Sequence, residues 1–124
     1  MKLLDSLYHI IDESKNEVEH SYTIKLNAEH FIYAAHFPGE PITPGVCIMQ
    51  IAQELLGCHV NHDLIIDTVK NIKFLRIITP IESPIVCYTL NKVSCEDGRI
   101  KSQVTVSYNG DTFAKLSLVC RLGA

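Results

Sequence analysis

The residues with chemistry to offer gather between positions 36 and 54, HFPGEPITPGVCIMQIAQE. A histidine opens the stretch, three prolines and two glycines fall within its first ten residues, and an apolar, helix-like run follows. Imidazole titrates near neutrality, so His36 suits the removal of a proton from carbon. The prolines just after it lower the entropy cost of holding it in place. Pro44 lies at or just before the first helical turn, where a missing N–H costs nothing. The N–H groups at such a helix start point outward and carry the positive end of the dipole, an arrangement that steadies a developing oxyanion. Gln50 is polar on an otherwise apolar helix. Glu54 lies four residues on, so the two share a helix face about 6 Å apart along the axis.

These groups need elements to hold them. Residues 7–14 (LYHIIDES) read as a first strand, with a turn at Lys15–Asn16. Residues 17–26 (EVEHSYTIKL) alternate, with Val18, His20, Tyr22, Ile24 and Leu26 on one face of a half-buried strand. Asn27 is placed to cap a short helical turn through AEHFIYAA. The main helix runs from Gly45 to about His59, apolar around most of its circumference, with Gly57 and Asn61 as stop signals. Four strands follow: 68–79 up to Pro80, 85–95 up to Glu96–Asp97–Gly98, 99–108 up to Asn109–Gly110, and 112–122. One helix apolar nearly all round calls for a sheet wrapped about it. The class is α+β in one domain, residues 1–124, without βαβ units.

Composition narrows the function. A hydrophobic share of 47% supports a real core. No 18-residue apolar run is present, and the acidic start MKLLDSLYHIIDESK does not suit a secretory signal, so membrane insertion is not expected and a cytoplasmic location is. The odd number of cysteines, five, without close pairs, fits reduced thiols; Cys47 reads as packing. A net charge of −3 argues against a nucleic-acid binder. The charge is uneven. Residues 1–69 hold three Lys/Arg against ten Asp/Glu, and residues 70–124 hold eight against four. A basic patch drawn from Lys70, Lys73, Arg76, Lys92, Arg99, Lys101 and Arg121 would suit an acidic or phosphate-bearing partner. His30 and His36 lack cysteine or carboxylate in ligand register, so no metal is expected. His20 reads as a buried, satisfied histidine, and His59 and His62 as exposed ones.

The run HFPG-x-P-I-x-P-G-V, from His36 to Val46, resembles the active-site motif of the (3R)-hydroxyacyl-acyl-carrier-protein dehydratases. KFLRIITP at 73–80 is similar to that family's strand after the helix. The resemblance implies the hotdog fold, a curved antiparallel sheet around one central helix, paired edge to edge into a homodimer with pockets between subunits. It implies an acyl thioester of acyl carrier protein or coenzyme A as substrate, acyl carrier protein as partner, and no cofactor. His36 would be the base and Gly45 the oxyanion donor. Phe37, Pro38, Gly39, Gly45 and Val46 would border the substrate.

The sequence departs from that family at two positions of the helix. Fourteen residues after its histidine the family carries a Glu or Asp that protonates the leaving hydroxyl. Here that residue is Gln50, which can orient a hydroxyl but cannot deliver a proton as a carboxylic acid does. Four residues later, where the family usually has glutamine, stands Glu54. Glu54 is therefore either a substitute acid or a structural residue. Three functions follow: a 3-hydroxyacyl-thioester dehydratase yielding a trans-2-enoyl thioester, a thioesterase of the same fold, or a non-catalytic acyl-binding partner of an active homologue.

Overall fold

The computed structural model describes residues 2–36 and 39–123. Six strands form one antiparallel sheet: β1 (Tyr8–Lys15), β2 (Glu19–Leu26), β3 (Leu64–Phe74), β4 (Ile85–Glu96), β5 (Arg99–Tyr108) and β6 (Asp111–Leu122). Their order across the sheet is β1-β2-β4-β5-β6-β3. A short helix α1 (Phe31–Ala35) and the long α2 (Gly45–Val60) lie between β2 and β3 in the chain. This is the hotdog architecture expected from the sequence.

Alternation builds the sheet. His20, Tyr22, Ile24 and Leu26 of β2, Val86, Tyr88 and Leu90 of β4, and Ile100, Val104 and Val106 of β5 all point to the helix side and are buried. Two hairpin turns connect β4 to β6. Asp97–Gly98 and Asn109–Gly110 all have positive φ (53°, 74°, 52° and 85°), the geometry that matches strand twist. Against the sheet lies one stripe of α2: Ile48, Ile51, Ala52, Leu55 and Leu56. The Tyr88 hydroxyl donates to the Ile48 carbonyl at 3.2 Å. Each of the larger side chains contributes roughly 1.5–3 kcal/mol by burial.

Several elements differ from the sequence reading. The third strand spans Leu64–Phe74 and not 68–79. After Phe74 the chain turns off the sheet, with the Leu75 and Arg76 N–H groups both directed to the Phe113 carbonyl (2.8 and 3.2 Å). Helix α1 is capped by His30, whose Nδ1 accepts from the Ile32 N–H at 3.1 Å; Asn27 makes a turn one step earlier through the Glu29 N–H. Gly57 lies inside α2, and Asn61 alone ends it in the left-handed region (φ 61°, ψ 39°). Val18 is outside its strand and exposed. The helix is not apolar all round: Gln50, Gln53, Glu54, Gly57, Cys58 and Asn61 follow one another along a second stripe that borders a recess.

His59 is the other correction. It is half-buried and reaches His20, Nδ1 to Nδ1, at 3.0 Å. His20 is buried, stacks on Tyr22 at 4.6 Å between centroids, and meets Glu13 Oε2 through Nε2 at 2.8 Å. A carboxylate only accepts, so His20 Nε2 carries a proton, and the two Nδ1 atoms share one more between the rings. The expected basic patch also divides. Arg99 and Arg121 are register partners at one end of the sheet, while Lys73 pairs in register with Lys115 at the other. Lys92 sits apart, at the β4 irregularity between Asn91 and Ser94.

Two outcomes test this account. A glycine inside a helix normally gains about 1 kcal/mol on change to alanine. At Gly57 the new methyl would lie 2.8 Å from the His62 carbonyl oxygen, a backbone atom that cannot yield cheaply. Gly57→Ala is therefore expected to destabilise, by about 1–3 kcal/mol net, in urea unfolding. The second concerns pH. Burial first, then the nearby His20 and Lys15, push the His59 pKa below its ordinary 6.5. The unfolded chain then binds the proton more readily, so this contribution is complete above pH 6.5 and is lost as pH falls toward the folded value. His59→Asn should flatten the decline of the urea midpoint between about pH 7 and pH 5.

Candidate active site

The turn that leads into α2 is pinned from two sides. Thr43 is buried, its hydroxyl paired with the Tyr33 hydroxyl at 2.9 Å and its N–H donating to the Ile78 carbonyl at 2.8 Å. His36 follows α1 directly, exposed, in extended conformation (φ −112°, ψ 125°), its N–H on the Ile32 carbonyl. Gly39 has φ +88°, a conformation other residues rarely adopt. Pro44 is the helix N-cap, and the Cys47 and Ile48 N–H groups both bond to its carbonyl (3.0 and 3.1 Å). The Gly45 and Val46 N–H groups therefore precede the first helical bonds.

Over this helix start lies Phe74. A methyl added at Gly45 would fall 2.9 Å from the tip of its ring, so glycine is what lets the aromatic ring approach. Gly45, Ile42, Ile48, Phe74, Arg76 and Ile77 border an apolar groove of about 330 Å³. Arg76 contacts Asp111 at 3.5 Å and lies 5.8 Å from the Phe113 ring centroid. Val46 is two-thirds exposed. Cys47 is buried in the first turn, and burial pushes its thiol pKa up, as its packing role requires.

One turn further along the helix, Gln50 and Glu54 are in contact: Gln50 Nε2 donates to Glu54 Oε2 at 2.9 Å. Glu54 also receives three donors from the start of the chain. The Leu3 N–H reaches Oε2 at 2.8 Å, the Leu4 N–H reaches Oε1 at 2.9 Å, and the Tyr8 hydroxyl reaches Oε1 at 2.8 Å. Four donors converge on two oxygens, a set that leaves no acceptor for an acid proton. Burial and the bond to Glu54 push the Tyr8 phenol far above its ordinary range, so it stays a donor. Gln50 and Glu54 border a recess of about 640 Å³ together with Lys2, Leu4, Gln53 and Cys58.

The structure thus brings Gln50 and Glu54 together and sets Gly45 at a separate groove, which Val46 does not line. His36 borders neither recess among the described residues. Phe37 and Pro38, expected to border substrate, lie outside the described residues. The sequence reading missed Tyr8, Leu3 and Leu4 as partners of Glu54, and Phe74 as the cover of Gly45. The available signal was a carboxylate in an apolar helix, which must find donors somewhere in the fold.

Residues 12–114 match the ApeI-like family, described as ApeI dehydratase. The chain is 27% identical over 82 residues to the 3-hydroxyacyl-[acyl-carrier-protein] dehydratase FabZ of Rickettsia africae, which covers 60% of this chain and 57% of that protein. The same enzyme of Rickettsia conorii is 25% identical over 97 residues, 72% of this chain and 67% of the relative. The chain therefore spans only part of the length of these curated relatives. Among solved structures, a chain of the dehydratase heterocomplex ApeI:P from Xenorhabdus doucetiae superposes with a TM-score of 0.70 at 15% identity, covering 91% of this chain and 97% of that one. A hypothetical thioesterase protein with coenzyme A from Streptococcus pneumoniae gives 0.66 at 11% identity, over 94% and 86%. At such identities these structures show the fold alone, the hotdog fold. The family match spans more than four-fifths of the chain, and the chain belongs to the ApeI-like dehydratase family.

Proposed function

We propose that this protein dehydrates 3-hydroxyacyl thioesters of acyl carrier protein to trans-2-enoyl thioesters. The observation that carries the reading is the unbroken sequence motif from His36 to Val46, which sets a histidine nine residues before a helix start at Gly45 in a chain of a dehydratase family. His36 takes the proton from the carbon beside the carbonyl. The Gly45 N–H, at the positive end of α2, stabilises the charge that collects on the thioester oxygen. Gln50 orients the hydroxyl at carbon 3. With an amide at this position and Glu54 occupied by four donors, the proton that leaves with the hydroxyl comes from His36, which has just received one.

In the arrangement that the dehydratase resemblance implies, pockets lie between subunits, so His36 of one subunit works with Gln50 of the other. The sheet has a bare edge at β3, and the exposed Ile65, Phe74 and Leu75 lie on or just after it. Pairing β3 with β3 of a second copy makes one continuous sheet and a homodimer. The carrier protein is expected at the end of the sheet that holds Lys73, Arg76 and Lys115, beside the Gly45 groove. A second reading is favoured by Gln50: the chain supplies half of a mixed pair, as in the ApeI:P heterocomplex that shares its fold. A thioesterase, in which Gln50 positions a water against the carbonyl, is the third.

Incubation with a 3-hydroxyacyl and with a saturated acyl carrier-protein thioester separates these readings. Enoyl product from the first supports dehydration, free thiol from either supports hydrolysis, and neither supports the mixed pair. His36→Ala should lower turnover by about 10²–10⁴-fold. Glu54→Gln should cost less than about 10²-fold, the smallest loss typical of a missing acid. Gln50→Glu should match or exceed the wild type, because two carboxyls in contact share a proton and so create an acid. Sedimentation at micromolar concentration that shows only monomer would count against the dimer. Carrier binding should weaken as salt rises from about 50 to 200 mM, as steered association does.

A further inference from the structure

The Gly45 N–H belongs to a peptide plane that is constrained from two sides. Pro44 and Gly45 share this plane, and in a trans peptide the carbonyl and the N–H point opposite ways. The Pro44 carbonyl is turned into α2, where the Cys47 and Ile48 N–H groups bond to it at 3.0 and 3.1 Å. The Gly45 N–H is therefore aimed back out of the helix, away from the intrahelical bonds. Glycine is permissive in φ and ψ and has no side chain to anchor it, so bonds to the carbonyl alone leave its α-carbon free to shift. The second constraint is Phe74. Its ring tip stands over the place a Cβ of residue 45 would take, with Cζ 2.9 Å and Cε2 3.0 Å from that place. Phe74 is itself tied down: it ends β3 in register with Ala114, and the next two N–H groups go to the Phe113 carbonyl. The ring is half exposed and belongs to no core cluster, so the core does not account for an aromatic here.

We propose that Phe74 is a positioning residue for the oxyanion donor: its ring rests on the bare α-carbon of Gly45 and holds the Gly45 N–H in the direction the pinned carbonyl gives it. The inference rests on the dehydratase reading above and adds to it a residue that does not touch the reacting atoms. An oxyanion donor is worth most when it is aimed before the charge forms. A displacement of about 1 Å in such a group costs on the order of 10²-fold in rate. The loss falls on the transition state, where the oxygen carries the charge, and hardly on the bound ground state. It is therefore read in kcat and not in KM. Glycine at position 45 and phenylalanine at position 74 form one unit on this account: the missing side chain of the first is the seat of the second.

The test is a double-mutant cycle on the full chain, with dehydration of a 3-hydroxyacyl carrier-protein thioester as the readout. Phe74→Leu should lower kcat by about tenfold or more and leave KM within about twofold. Gly45→Ala keeps its N–H but drives a methyl against the ring, and should lose about as much. The two changes together should bring kcat back to within about threefold of the wild type, because leucine falls short of the phenyl tip by about the methyl that alanine adds. A methyl at position 45 would not restore a lost contact between subunits, nor admit a substrate that the methyl itself blocks, so a double variant no better than the singles overturns the inference. A wild type that dehydrates, with unchanged kcat in Phe74→Leu, overturns the inference and spares the dehydratase reading. A wild type that dehydrates nothing overturns both. The packing has its own readout: the Gly45 α-proton at the ring should differ in chemical shift from its twin, and the difference should shrink in Phe74→Leu. A difference that does not depend on residue 74 overturns the inference. Should Phe74→Leu fail to fold, Gly45→Ala decides alone, and wild-type kcat in that protein overturns the inference.

Discussion

Everything in this molecule follows from one helix having to bury a stripe against one sheet. Ile51, Ala52, Leu55 and Leu56 are almost wholly enclosed, and their positions fix the rotation of α2 about its axis. Once that rotation is set, Gln50, Gln53 and Glu54 must face the other way. They are too polar to expose an apolar strand to and too enclosed to be left alone. The start of the chain resolves this by crossing the helix and offering its backbone to Glu54. A half-buried carboxylate without such donors would be left poorly solvated.

The same rotation places the helix start. Gly45 points at Phe74 because the stripe that begins with Ile48 points at Tyr88 and the sheet centre. The turn before it is tied to α1 by the Tyr33–Thr43 hydroxyl pair and to the segment after β3 by Thr43 and Ile78. Three pieces of chain far apart in sequence are thus indexed to one proline–glycine step. Rigid attachment of this kind keeps reacting groups within the roughly 1 Å that catalysis tolerates.

The parts legible in the sequence were those with local causes. The alternation of β2, the Asp97–Gly98 and Asn109–Gly110 turns and the apolar run of α2 each depend on neighbours within a few residues. Pro80 marks a false end for the third strand in the sequence, while the true end is set by Phe113, some forty residues on, which takes the Leu75 and Arg76 N–H groups. His59 looks exposed in the sequence because nothing near it announces His20, on a strand that precedes it by two elements. Glu54 is the extreme case. Three of its four partners are 46 to 51 residues away, two of them backbone groups that carry no side-chain signal. The motif at 36–46 was visible because proline and glycine act on their own backbone.

The two edges of the sheet are not alike. Along β1 the outer rim carries Asp12, Glu13, Ser14 and Lys15, with a register shift between Ile10 and Asp12 that bends the strand. Charge and irregularity of this kind discourage a passing strand from docking. The β3 rim is irregular as well, with register shifts between Ile66 and Thr68 and between Val69 and Asn71, yet it ends in Phe74 and Leu75, both about half exposed. Bulges on both edges make extension by a chance strand costly, so the aromatic side chain at the end of β3, and not the bare backbone rim, is what sets one edge apart from the other.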